Sequence, residues 1–328
     1  MAFIRDKIWR YGLAIFFVLG LNFLIVQLLP GDPLVHLVGE EAYFHLQGQN
    51  PQAITTLRAK YGLDRPIHER LLSSIADTVR FRLGWSYHYG KSVARIILYR
   101  LKWTLVLLCP ALFASTVLGL FLGCLSGRPG KNVVDRIITP FFLVTYAVPA
   151  YCLAFLLLLA FVSMGDFFPL GGMRETTQGA GLSVWDVLRH MVLPQTVLVL
   201  HATAYLYMIM RSTVRQTFRE NYVITALGKG LKPKKVLFHH VLLNALPPYL
   251  AAAAVNFGFI AGGALLVEVV FSWQGMGSLM YEAVMSRDYP ILSGCFLILS
   301  FSVIGANMMA DIFCAYMDPR IRDDIAVR

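Results

Sequence analysis

Six stretches of this 328-residue chain contain no Asp, Glu, Lys or Arg: residues 11–31, 103–127, 137–165, 190–210, 236–267 and 289–310. An α-helix rises about 1.5 Å per residue, so about 20 apolar residues cross a hydrocarbon layer of about 30 Å. All six stretches are long enough, and uncharged runs of this length are rarely buried soluble helices. The expectation is an all-α, polytopic membrane protein with six transmembrane helices. Composition agrees, with 57% hydrophobic and 15% charged residues and a mean hydropathy of +0.61, against ~25% charged in soluble domains. The basic segment Met1–Arg10 precedes an apolar run that ends at Leu29-Pro30-Gly31-Asp32 without a small-x-small cleavage pattern. That run is expected to stay as a first helix rather than leave as a signal peptide.

Cytoplasmic loops carry excess Lys and Arg. With the N-terminus inside, one face receives Arg5, Lys7, Arg10, Arg128, Lys131, Arg136, Arg211, Arg215, Arg219, Lys229, Lys232, Lys234, Lys235, Arg320, Arg322 and Arg328. The two short outer loops hold only Arg174, Arg189 and Arg287. The loop between the first two helices exceeds the length of about 60 residues over which the rule applies. The expected division is a cytoplasmic N-terminus (1–10), a first transmembrane helix (11–29), an extracytoplasmic loop (30–102), a five-helix core (103–317) and a cytoplasmic tail (318–328). The core includes a cytoplasmic loop at 211–248. The net charge of +10 reflects this bias rather than nucleic-acid binding.

The long outer loop has helical patterning. Asn50-Pro51 reads as N-cap and N1, Gly62 as C′, and Ile54, Leu57 and Tyr61 share a face. A second helix is expected from Pro66 to Leu83, on which Ile67, Leu71, Ile75 and Val79 recur every four residues. Two readings stay open: helices lying on the membrane or the channel mouth, or a solvated cap with no transport role. Trp185, Leu188 and Val192 suggest a short surface helix in a later outer loop.

Ser115, Gly119, Gly123 and Gly127 recur at four-residue spacing, as do Ala254, Gly258 and Gly262. Small-xxx-small ridges let membrane helices approach closely, so Gly119, Gly123, Gly127, Gly258 and Gly262 are read as helix-packing positions. Pro110, Pro140, Pro149 and Pro194 fall inside expected spans, where kinks are tolerated. The five cysteines, Cys109, Cys124, Cys152, Cys295 and Cys314, lack metal-ligand spacing and read as small packing residues.

Catalytic motifs are missing. Gly127-Arg128-Pro129-Gly130-Lys131-Asn132 resembles a phosphate-binding loop, but its glycine spacing is wrong and Asn132 stands where a hydroxyl must hold Mg²⁺. There is no G-x-S-x-G and no H-E-x-x-H. No catalytic residue and no metal site are assigned. His239-His240 reads as contact surface, and the outer His36, His45, His68 and His88 lack a ligand-like pair spacing.

The inner loop Arg211–Pro248 is the most informative segment. Its first half is expected to be helical to about Lys229, with Gly230 at C′ and Pro233 at N1 of a second helix running to about Ala245. The result is a protruding elbow with apolar Tyr222, Ala226 and Leu231 among cations. A merely solvated loop explains the lysines but not paired helices around a Gly/Pro corner; a docking surface for a cytoplasmic partner explains both.

The run Asn221–Leu231, with Val236, His240, Asn244-Ala245 and Pro248, resembles the coupling loop of ABC importer permeases, closest to the dipeptide/oligopeptide/nickel family. The resemblance extends to Leu29-Pro30-Gly31-Asp32-Pro33, Tyr61–Pro66, Leu83-Gly84 with Ser86, Arg211, Glu268–Gly277, Arg287-Asp288-Tyr289-Pro290, Asn307, Asp311 and Asp318-Pro319-Arg320. Departures are Ile224-Thr225 and Leu227, where that family more often has Arg-Thr and Arg, and Gln274 for a common Pro.

The resemblance implies a type I importer permease in the bacterial inner membrane, with both termini cytoplasmic. Implied partners are a second homologous permease, two ABC ATPase subunits, an extracytoplasmic binding protein and the lipid bilayer. ATP and Mg²⁺ are used by the ATPases, and this chain binds no cofactor and no nucleic acid. It also implies an ATPase-coupling role for Tyr222, Thr225, Ala226, Gly230, Leu231, Val236, His240 and Asn244. Glu268, Gly275, Gly277, Asn307 and Asp311 become pathway or gate candidates. The substrate expected is a di- or oligopeptide, with a nickel or metal chelate as the alternative. An ion-driven secondary transporter would want paired ionisable groups within the membrane, and only Glu268 and Asp311 lie near spans. A membrane enzyme would need a catalytic constellation that the sequence lacks.

Overall fold

The computed structural model describes residues 2–28, 34–35, 39–49, 51–60, 64–86, 88–130, 133–162, 168–173 and 183–317. The expectations for Asn50, Tyr61-Gly62, residues 29–33, Lys131, Arg174 and the 318–320 ending lie outside these residues. Helix α1 runs Ala2–Leu28, followed by the short α2 (Glu40–Gln49), α3 (Pro51–Lys60) and α4 (Ile67–Val79). A two-residue hairpin pairs β1 (Trp85–Ser86) with β2 (Lys91–Ser92) antiparallel. The bundle then comprises α5 (Val93–Ser126), α6 (Val133–Ala147), α7 (Ala150–Val162), α8 (Val184–Thr217) and the elbow helices α9 (Asn221–Gly228) and α10 (Pro233–Val236). A π-helical turn, Leu237–Val241, leads into α11 (Leu242–Val270), and α12 (Met276–Met285) and α13 (Tyr289–Met317) follow.

Among the described residues, four helices are individually long and apolar enough to cross a membrane: Val93–Ser126, Val184–Thr217, Pro233–Asn256 and Tyr289–Ile312. The third expected span is not one helix. It is α6 and α7, bent by 107° at a break around Val148-Pro149. Proline lacks the N–H that would continue α6 and disfavours helical geometry in the residue before it. Pro110, Pro140 and Pro194 lie inside continuous helices. The first expected span lies within α1, but its apolar part, Trp9–Ile25, reaches only about 25 Å.

Trp185, Leu188 and Val192 do not form a separate surface helix. They are the opening turns of the 34-residue α8, which continues through Pro194. The second outer helix is shorter than the periodicity suggests, with Pro66 as N-cap and an end at Val79.

The core is built on α8, which packs along α5 and also against α6, α7 and α11. The glycine ridge makes this possible. A Cβ on Gly119 would lie 2.7 Å from Leu206 Cβ, on Gly123 2.6 Å from Met210 Cβ, and on Gly127 2.7 Å from Val214 Cβ. The two backbones therefore meet over about two turns. Gly258 and Gly262 are in α11, but their packing lies outside what is described. Phe113, Phe121, Ile137, Val144 and Leu159 are each more than 60% exposed. Apolar faces of this kind suit lipid or another membrane subunit, not water.

Candidate functional site

At one end of the bundle stands the elbow. Helix α9 ends with Gly230 at φ +81°, where the Gly230 N–H donates to the Leu227 carbonyl and the Leu231 N–H to the Ala226 carbonyl. This is a Schellman exit, which needs a left-handed residue at that point. Pro233 then opens α10 at its first position. The elbow differs from the sequence expectation in two ways. Its first half is not continuous with α8, because a turn at 218–220 separates them, and its second half does not stop near Ala245 but runs on into α11.

The coupling-loop residues divide into two sets. Ala226 and Val236 are buried in a core with Val223, Leu237, Val241, Val214 and Met210. Ala226 is therefore not on an outer docking face, contrary to expectation: it is 7% exposed and carries the elbow's internal packing. Tyr222, Thr225, Gly230 and Asn244 are exposed, while Leu231 and His240 are half-buried. The Asn244 amide donates to the His240 carbonyl at 2.6 Å. Ile224 and Leu227, read from sequence only as family departures, are 56% and 38% exposed and add apolar area to the outer surface.

Beside the elbow, the Asp135 carboxylate joins α6 to α8. It accepts from Arg211 Nε at 2.5 Å, Arg211 Nη2 at 3.1 Å, Arg215 Nη2 at 3.0 Å and Thr139 Oγ1 at 2.8 Å. Thr139 also shares a 2.7 Å hydrogen bond with the buried Tyr207 hydroxyl. A charge-assisted, bidentate guanidinium pair is among the stronger polar contacts. Arg211 was singled out by sequence and Asp135 was not. The available sign was an acid at the margin of a charge-free run, four residues before Thr139.

The other end of the bundle carries the hairpin and a buried carboxylate. Glu268 is fully buried and accepts from Thr104 Oγ1 at 2.7 Å and from the Gly277 N–H at 2.6 Å. The Thr104 hydroxyl in turn accepts from the Met276 N–H at 2.8 Å. A Cβ on Gly275 would collide with the Glu268 carboxylate, and one on Gly277 with the Leu265 backbone. Trp273 is buried here, its indole N–H donating to the Trp103 carbonyl at 3.0 Å. Nearby, Asp288 accepts from Ser86 Oγ at 2.5 Å, and Glu282 accepts from Arg100 at 2.9 Å and from the Tyr89 hydroxyl. Burial and the Glu282 carboxylate push the Tyr89 hydroxyl up to about 12, so it stays a proton donor at neutral pH.

The five pathway candidates are not one constellation. Glu268, Gly275 and Gly277 are together at the hairpin end. Asp311 is on the last turns of α13, where it pairs with Lys7 and accepts from the Tyr11 hydroxyl at 2.6 Å. The 22 residue steps from Tyr289 to Asp311 amount to roughly 33 Å of helix. Asn307, half-buried, is one turn before Asp311. Asp311 therefore fastens the first helix to the last. Among the described residues, no group of three or more His, Cys, Asp or Glu side chains is placed to hold a metal.

The chain belongs to the family of binding-protein-dependent transport system inner membrane components, which it matches over residues 116–323. It is 34% identical over 304 residues to a peptide permease protein of Brucella suis biovar 1, covering 92% of this chain and 93% of that one. It is 31% identical over 335 residues to the di/tripeptide transport system permease protein DppB of Pseudomonas aeruginosa, covering 95% and 97%. A crystal structure of an amino acid ABC transporter with histidines matches with a TM-score of 0.53 at 13% identity, covering 68% of this chain and 94% of that chain. That likeness speaks for the fold alone. The protein is a multi-pass permease subunit of the bacterial inner membrane, from a family of transport subunits rather than enzymes.

Proposed function

We propose that this chain forms half of the transmembrane path of an ATP-driven importer of short peptides. A second, similar permease supplies the other half. Two ATPase subunits, which consume the ATP and Mg²⁺, dock on the elbow, and an extracytoplasmic binding protein delivers cargo at the hairpin end. Both termini are then cytoplasmic. The peptide permeases it resembles over more than nine-tenths of its length support the cargo class. The observation that carries the coupling role is the division of the elbow. Its inner face is packed onto the end of α8, while Tyr222, Ile224, Thr225 and Leu227 point outward. A partner pressing on that outer face moves α8 and, through Asp135, the broken α6–α7 pair. This is a rigid-body scheme of alternating access.

The test is uptake by a deletion strain of labelled di- and tripeptides and, separately, of nickel, joined to cysteine labelling. Restored peptide uptake is expected. An impermeant maleimide should label Ser73→Cys in spheroplasts above the parent chain, and Lys234→Cys only after lysis. Nickel uptake without peptide uptake overturns the cargo, and labelling of Lys234→Cys from outside overturns the orientation.

A further inference from the structure

We propose that Tyr146, His201 and Tyr205 form a transit site, near the middle of the membrane, for the ammonium end of a short peptide. The assignment rests on the peptide-importer reading and adds to it the residues that cargo meets on the way through. His201 lies eleven residues from one end and nine from the other of the charge-free run 190–210, about 15 Å from each margin. A polar ring at that depth is costly unless it faces protein or a water-filled path. Its Nδ1 is buried and makes no bond of hydrogen-bonding geometry, although the Thr145 main chain lies beside the ring.

One turn along α8 from His201 is Tyr205, and Tyr146 of α6 stacks on both. Its ring centroid is 6.3 Å from each, with interplanar angles of 20° and 26°. Tyr146 is 52% exposed, so the aromatic floor is open on one side. Helix α6 ends one residue later, at the 107° break. The terminal carbonyls of a helix lie beyond its own hydrogen bonding and carry the negative end of its dipole. Aromatic faces attract an ammonium through their quadrupole. The rings, beside the negative end of α6, therefore present a cation-attracting surface to which runs 137–165 and 190–210 contribute no Asp or Glu. A site without a fixed countercharge attracts cargo weakly enough to release it, which conduction requires. A turn of the His201 ring that uncovers Nδ1 would let it meet the first peptide unit behind the ammonium.

The experiment measures alanyl-alanine uptake in a strain expressing the whole transporter, with Tyr146→Phe, Tyr146→Leu and His201→Ala in this chain. Tyr146→Phe keeps the π face and should transport at the wild-type rate. Tyr146→Leu keeps apolar bulk without the π face and should lower the maximal rate about three- to tenfold, as should His201→Ala. Membrane abundance and co-purification of the partner subunits should stay unchanged. Equal rates for the Phe and Leu variants overturn the ring site. Loss of partner subunits in Tyr146→Leu also overturns it, by making the ring an assembly contact. A wild-type transporter that imports no peptide overturns the cargo reading and with it the ammonium assignment, a failure seen before any variant is compared.

Discussion

At the elbow end the chain leaves α9 through Gly230 at φ +81°; at the hairpin end it leaves α11 through Ser272 at φ +51° and α12 through Arg287 at φ +54°. All three exits share one hydrogen-bond pattern. Gly230 and Leu231 donate to Leu227 and Ala226, Ser272 and Trp273 to Val269 and Glu268, and Arg287 and Asp288 to Val284 and Ala283. A side chain in the left-handed region costs roughly 1–2 kcal/mol. The elbow avoids that cost with glycine, whereas the hairpin end bears it at Ser272 and Arg287, and again at Phe81 (φ +58°), where α4 ends before the hairpin. Such strain persists where surrounding structure over-determines the backbone, and the buried Glu268, Trp273, Met276 and Asp288 supply that surrounding. The hairpin end is a fixed frame. The elbow, braced on its inner face and open on its outer one, is the part suited to being moved.

The largest expected effect tests the frame. A Cβ at Gly277 would meet the Leu265 backbone, and backbone has no rotamer with which to yield. Gly277→Ala should cost about 1–3 kcal/mol or more by overpacking. It should deplete the chain from membranes and lower the melting temperature of the purified transporter. Wild-type abundance and melting would mean that this end adjusts freely, and the contrast with the elbow would fail.

The next effect divides the elbow itself. Ala226→Asp puts a carboxylate into a core of Val223, Val236 and Leu237, where an unpaired charge costs several kcal/mol. Loss of both uptake and ATPase co-purification is expected, with local unfolding seen as protease cleavage at the elbow. Thr225→Asp, one residue away and exposed, should leave the elbow protease-resistant and still reduce uptake, because its charge meets the docking partner. If Thr225→Asp transports normally, the outer face is not the docking surface.

Charge-free runs made the bundle legible because the bilayer imposes length and polarity directly on sequence. They did not show that residues 137–165 divide at Val148-Pro149, since Pro110 and Pro194 lie in equally apolar runs without breaking them. Neighbouring helices decide which proline bends a span, and one sequence does not record neighbours. The Gly230 corner was legible because its conformation is local. The burial of Ala226 was not, because a small residue on a short helix suits a docking face and a core alike. Glu268 stood out as a carboxylate at the margin of a span, but its partner Thr104 is 164 positions away. Tyr146 and His201 drew no notice for the same reason: their stacking joins two helices, and each alone is an ordinary residue in an apolar run.

The smallest effect is a reciprocal exchange at the two exits. Gly230→Ala has room, since no heavy atom lies within 4 Å of the added Cβ. Its cost is therefore backbone strain alone, about 1 kcal/mol. Ser272→Gly relieves a similar strain at an exposed position, but glycine also loosens the unfolded chain by about 0.4–1 kcal/mol. The two terms nearly cancel, so Ser272→Gly should unfold within a degree or two of wild type or slightly above it, and Gly230→Ala below it. Uptake should separate them further. Weakening the elbow's corner lets part of the ATPase stroke dissipate in the turn, so Gly230→Ala should transport less per ATP hydrolysed. Ser272→Gly, inside a frame held by other contacts, should keep the wild-type ratio. Purified transporter in proteoliposomes gives both numbers from one preparation. A Ser272→Gly variant that uncouples hydrolysis from transport while Gly230→Ala does not would reverse the assignment of which end moves and which end holds.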